Sequence, residues 1–266
     1  MNAKPIQAPS RSDEARTFQV DSLPVMIFST RSQLADAAAL EAGEYLRETI
    51  ARQGSARVIL ATGNSQIDFL GRLIALNTVE WSRVVLFHMD EYLGIPAEHT
   101  ASFRRYMKER VEHRVRPQAF HYLEGDALEP IDECDRYTNL LRVSPIDLCC
   151  LGIGENGHIA FNDPPVANFD DRRSVKIVKL DLACRQQQAG EGHFPTLQAV
   201  PEYALTLTIP ALCSAKRMIC ISPERRKAKA VRAALKEPID RSCPASILRR
   251  QSHARLYLDA ESASLL

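Results

Sequence analysis

The chain has 266 residues, 45% hydrophobic and 25% charged, enough for one large α/β domain or two small ones around a packed core. Lys and Arg number 34 against 33 Asp and Glu, a formal charge of +1 that excludes any general electrostatic case for nucleic-acid or membrane binding while leaving a local anionic ligand open. Seven cysteines without a paired C-x-x-C spacing, no apolar run near the ~20 residues of a membrane span and a polar N-terminus point to a soluble cytoplasmic protein with free thiols.

Residues 1–21 mix Pro, Ser, Arg and Asp without periodicity and read as a flexible or edge-lying extension. Residues 22–266 read as one α/β domain. Leu23 to Phe28 is a short apolar run, and Ser29 or Thr30 can cap the Ala-rich helix that follows to about Gln53. Arg57 to Ala61 is a β-branched run that ends in Thr62-Gly63-Asn64-Ser65 and passes into the helical pattern Ile67 to Ile74. Such a junction is either a plain capped turn or an anion site, because a helix N-terminus carries unpaired N–H groups and partial positive charge.

Val84 to Phe87 is a further buried strand, running into His88-Met89-Asp90-Glu91-Tyr92 before Gly94 and Pro96. The two carboxylates can supply acid/base chemistry if one is partly desolvated, or they can cap the next helix. Adjacent residues on an extended chain face opposite ways, so only one can enter a crevice. Helices are expected from about Ser102 to Val115 and from about Ile131 to Leu141.

Leu148 to Leu151 is apolar and too short for a helix, and it leads into Gly152-Ile153-Gly154-Glu155-Asn156-Gly157-His158 and then Asn162-Asp163-Pro164-Pro165. This reads as a buried strand delivering a histidine, an amide and a carboxylate to its C-terminal end, where ligands bind in open α/β sheets. Gly152, Gly154 and Gly157 also fit the dinucleotide fingerprint, with Asp181 about 20 residues on as a ribose acid. That motif needs a helix to open at its third glycine, which the proline pair disfavours.

Further on, Val175 to Leu180 alternates like a half-buried strand, while Arg185 to Pro195 lacks periodicity and suits a mobile surface segment. Strands are expected at Ala204 to Ile209, Met218 to Ile221 and Ala254 to Leu258. In the basic run Arg225, Arg226, Lys227 and Lys229, most charges suit a solvated helix face, and one Lys in the first turn can reach an anion. Alternating strands and helices predict an α/β fold whose mostly parallel sheet has helices on both faces.

From Val25 to Leu258 the sequence resembles the glucosamine-6-phosphate deaminase/isomerase family. The resemblance rests on Met89-Asp90-Glu91-Tyr92, Gly152 to Asp163, Val200-Pro201-Glu202-Tyr203-Ala204-Leu205-Thr206 and Arg226-Lys227-Ala228. It implies a modified Rossmann-like sheet and a hydrolase of amino-sugar catabolism that turns glucosamine 6-phosphate, or a close relative, into fructose 6-phosphate and ammonia. By the same resemblance, Asp90 is the base for enolisation and His158 the acid/base for ring opening. Asn156 sits where members carry Asp or Asn, and Asp163 stands where deaminases usually have Glu. Thr62, Gly63, Asn64, Ser65 and Lys227 match phosphate contacts, and a phosphate-binding Arg of the family falls near His193.

The resemblance implies neither a metal nor an organic cofactor, a small sugar phosphate as the partner, no nucleic acid or membrane, and leaves room for a homo-oligomer. A lactonase resembling the 6-phosphogluconolactonases is the alternative enzyme. A non-catalytic sugar-phosphate sensor is the alternative from another class.

Overall fold

The computed structural model of the chain describes residues 15–266. Its main sheet has eight strands in the order β1 (Arg16–Val20), β2 (Leu23–Phe28), β11 (Ala254–Asp259), β10 (Arg217–Ser222), β7 (Leu148–Leu151), β3 (Ala56–Leu60), β4 (Val84–His88) and β6 (Ala119–His121). Every pairing is parallel except β1 with β2. Of the expected extension, Met1 to Glu14 lie outside the described residues. Arg16–Val20 is an antiparallel edge strand, with Phe18 and Val20 packed against the core.

The central strands β7, β3 and β10 are buried on both faces, which explains their continuous apolar sequences. One face is covered by helix α1 (Arg31–Gln53), whose inward stripe includes Leu34, Ala38, Ala42 and Leu46, and by helix α2 (Ile67–Ala75). Thr30 closes a reciprocal capping box with Gln33 and so sets the start of α1. Tyr137 and Leu141, from the helix Pro130–Arg142, and Val231 and Ala234, from the helix Ala228–Lys236, belong to the core cluster on the other side.

A second sheet, with strand order β5 (Asp90–Tyr92), β9 (Tyr203–Leu207), β8 (Val175–Lys179), is antiparallel throughout. The chain leaves the main sheet at His88 and joins the second at Asp90, and the Leu207 N–H donates to the Met89 carbonyl at 2.8 Å across that change. The two carboxylates therefore lie where one sheet hands the chain to the other. The run expected as a helix from Ser102 to Val115 is helical throughout, with a wider π-type turn at Lys108–Glu112 between α3 (Phe103–Met107) and His113–Val115.

Candidate active site

Four neighbouring strands, β10, β7, β3 and β4, end on the same side of the sheet, and the segments leaving them line an open cleft of about 550 Å³. Thr62 to Ser65 come from β3, Met89 and Asp90 from β4, Gly152 to Gly154 and His158 from β7, and Lys227 from β10. Parallel strands point all their C-terminal loops one way, so residues spread over most of the chain converge there.

The adjacent carboxylates divide as extended backbone requires. Glu91 is fully buried and accepts hydrogen bonds from the Ser102 hydroxyl (2.7 Å), the Phe103 N–H (3.1 Å) and the Arg104 N–H (2.9 Å), with the Arg104 guanidinium at 3.3 Å. It caps α3. Burial raises its pKa and those hydrogen bonds hold the rise back. Asp90 faces the cleft at 6% exposure, and its Oδ1 has no hydrogen-bond partner. Burial first, and the Glu91 charge second, lift its pKa well above the usual carboxylate range.

His158 lies 2.9 Å from Asp163, Nδ1 to Oδ1. Asp163 also accepts from Asn156 Nδ2 at 3.0 Å and from the Asp181 N–H at 3.0 Å, and the Asn156 amide oxygen accepts from the His158 N–H at 3.0 Å. Burial works against the Asp163 charge, but the hydrogen bonds from His158 and Asn156 outweigh it and the pKa falls. Asp163, which stands where deaminases usually have Glu, still comes within 2.9 Å of the imidazole. Asn156 and Asp163 are absent from the cleft wall and act on it through His158.

The loop after β3 turns at Gly63, whose φ of 100° and ψ of 165° suit only glycine, and enters the 3₁₀ turn Asn64–Gln66 ahead of α2. The Gln66 amide donates to the Ile221 carbonyl at 3.3 Å and so links this loop to β10. Lys227 is 3% exposed, and burial first and Arg226 next push its pKa down to about 8. Thr62, Gly63, Asn64, Ser65 and Lys227 all line the cleft, one cation with a helix start.

His193 does not reach the cleft wall. Its ring is 3.3 Å from Glu191 Oε2, because Glu191 turns toward Arg226 after the helix Leu182–Gly190 ends and the histidine follows it. The segment expected to be mobile is thus partly helical. Its inward residues, Cys184 with Gln188 and Gln187 with Glu191, are four apart, but most are polar and give no hydrophobic signal. Gln187, Gln188 and Glu191 line the cleft unforeseen. Gln187 accepts from the Glu155 N–H at 2.9 Å, and Gln188 accepts from the Tyr92 hydroxyl at 2.7 Å. The Glu191 side chain is 7% exposed. Burial opposes its charge, but His193 and Arg226 outweigh that and bring its pKa down to about 2.

The family model of glucosamine-6-phosphate isomerases/6-phosphogluconolactonase matches residues 29–258. The chain is 32% identical over 242 residues to the glucosamine-6-phosphate deaminase of Bacillus cytotoxicus, covering 91% of this chain and 88% of that one. With the deaminase of Exiguobacterium sibiricum it shares 34% over 224 residues, 84% of this chain and 86% of the other. A solved structure described as a monomeric glucosamine-6-phosphate deaminase superposes with a TM-score of 0.84 at 31% identity, over 91% of this chain and 99% of that one. A 6-phosphogluconolactonase from Shewanella baltica reaches 0.71 at 18% identity, covering 91% and 97% of the two chains, which shows the shared fold.

The expectation of a hydrolase is corrected here, since the matched relatives are deaminases within an isomerase family and the term conflicts with a deaminase/isomerase. No helix among the described residues is long and apolar enough to cross a membrane. On the match from residue 29 to 258 and on relatives matched over most of their length, the chain belongs to the glucosamine-6-phosphate isomerase/6-phosphogluconolactonase family.

Proposed function

We propose that this chain is an enzyme that converts glucosamine 6-phosphate, or a closely related amino-sugar phosphate, into fructose 6-phosphate and ammonia. One observation carries the reading. The unpartnered Asp90 carboxylate oxygen and the Asp163-held His158 open on the same cleft as Lys227 and the Thr62 to Ser65 loop.

The chemistry follows from the placement. Lys227 and the helix start after Ser65 hold the phosphate and thereby fix the sugar. His158 moves a proton between the ring oxygen and the anomeric hydroxyl, opening the pyranose, and Asp163 with Asn156 keeps the imidazole oriented. Asp90, desolvated and therefore a stronger base than a carboxylate in water, takes the proton from the carbon bearing nitrogen and returns it to the neighbouring carbon. Water then adds to the imine carbon, and the resulting carbinolamine expels ammonia to leave the ketone of fructose 6-phosphate.

The proposal includes a cytoplasmic setting, supported by seven cysteines that are all free among the described residues. A homo-oligomer stays in it as a question for light scattering, since the solved deaminase relative is described as monomeric.

An ammonia-release assay with glucosamine 6-phosphate tests the reaction. Equal yields of ammonia and fructose 6-phosphate are expected. Acid production from 6-phosphogluconolactone without ammonia would establish the lactonase, and tight sugar-phosphate binding without turnover would establish the sensor.

A further inference from the structure

The helix that seals one side of the cleft also places a thiol beside the Asp163 network. The Asp181 N–H donates to Asp163 Oδ2 at the start of this helix, and Cys184 lies on its inner face, 1% exposed. A ring nitrogen of His158, a carboxylate oxygen of Asp163 and Cys184 Sγ all lie within 4.8 Å of one another, and His158 Nδ1 faces Asp163 Oδ1 at 2.9 Å.

A nitrogen, a carboxylate oxygen and a sulfur form the mixed donor set that zinc accepts, with a fourth position left for water. Tetrahedral bonds of about 2.0–2.3 Å require donor separations of roughly 3.3–3.7 Å. His158 and Asp163, now 2.9 Å apart, need part only slightly, and the donors set further apart need only draw in.

We propose that His158, Asp163 and Cys184 form an inhibitory site for a thiophilic divalent cation, which withdraws His158 from proton transfer. The inhibitory part rests on the deaminase reading, and the metal site itself does not. Binding is a ligand exchange without redox change. The Cys184 thiol gives one proton to solvent, and an imidazole proton on Nδ1 shifts to Nε2. Charge favours the cation. A dication beside one carboxylate and one thiolate makes a neutral group at a buried site.

The test titrates the full chain with cobalt chloride and zinc chloride. Cobalt should give a thiolate charge-transfer band saturating at one ion per chain. Zinc should inhibit ammonia release reversibly, with activity restored by a chelator. Cys184→Ser should keep its metal-free turnover, lose the cobalt band and need about tenfold more zinc or greater, the scale on which even outer-shell partners of a metal act. Cys184→Ala serves as a second variant should the hydroxyl unsettle the helix. Wild-type zinc sensitivity in both variants, or a wild-type chain without the cobalt band, would overturn the proposal. A band that depends on Cys184 in a chain that releases no ammonia from any hexosamine phosphate would leave the metal site standing and remove the deaminase reading.

Discussion

A Cβ on Gly154 would stand 2.2 Å from Cε1 and Nε2 of His158, so the imidazole occupies the space in which any other residue would carry its side chain. The Gly154 N–H also donates to the His158 carbonyl at 2.8 Å, which ties the strand end to the histidine. Gly154→Ala should therefore displace the ring. We expect kcat to fall by about 10²–10⁴, the usual worth of a positioned acid/base, with the KM for phosphorylated substrate little changed. Wild-type kcat in this variant would show that His158 is not needed where the structure holds it.

The neighbouring carboxylates should respond to mutation with opposite signs. Asp90 has its folded pKa raised, so the stability it contributes is full below its unfolded pKa near 3.9 and is lost as pH rises through the folded value. Asp90→Asn should raise Tm at pH 7 while abolishing both ammonia release and solvent deuterium incorporation at the reacting carbons. Glu91→Ala, which takes the acceptor from the buried Ser102 hydroxyl and the Phe103 and Arg104 N–H groups while Arg104 keeps Asp126, should lower stability by at least about 1–3 kcal/mol in denaturant titrations. Deuterium exchange at the wild-type rate in Asp90→Asn would rule out this base.

For Asp163 the pH dependence runs the other way. Its folded pKa is lowered, so its contribution is present above the ordinary carboxylate value near 3.9 and disappears as pH falls through the folded value. Asp163→Asn should be less stable than wild type at pH 7 and should show a flatter loss of Tm toward pH 3. Parallel Tm curves for the two proteins would mean that the charge plays no part in holding the loop.

Lys227→Ala should raise KM for the phosphorylated sugar by roughly 10- to 150-fold, the equivalent of about 1.5–3 kcal/mol for a charge-assisted contact. Because burial lowers the lysine to about 8, the wild-type kcat/KM should decline as pH passes that value, and the alanine variant should lack this decline. An unchanged KM would place the phosphate elsewhere.

Much of this site was legible in advance. Short β-branched or apolar runs ending in Gly, Asn, Asp or His marked the strands whose ends carry Thr62 to Ser65, Asp90 and His158, and the structure places all of these on one cleft. The small antiparallel sheet was not legible as a separate layer, because Asp90–Tyr92 is three residues long and reads as the tail of β4. His193 lies off the cleft wall for a reason remote in sequence: its ring is 3.3 Å from Glu191, and Glu191 pairs with Arg226, far along the chain.

By itself the sequence determined the alternating α/β order, the identity of most strands, though not β1, β5 or β6, and the residue types at their ends, since periodicity, β-branching and glycine placement act over a few neighbouring residues. Only the tertiary structure decided which of two adjacent carboxylates enters the cleft and whether a shortened Asp163 still reaches His158. It also decided that Cys184, Gln188 and Glu191 belong to the site's surroundings. Those outcomes depend on desolvation and on ångström-scale distances between segments remote in the chain, and neither quantity exists until the helix Leu182–Gly190 and the loop after β7 pack against each other.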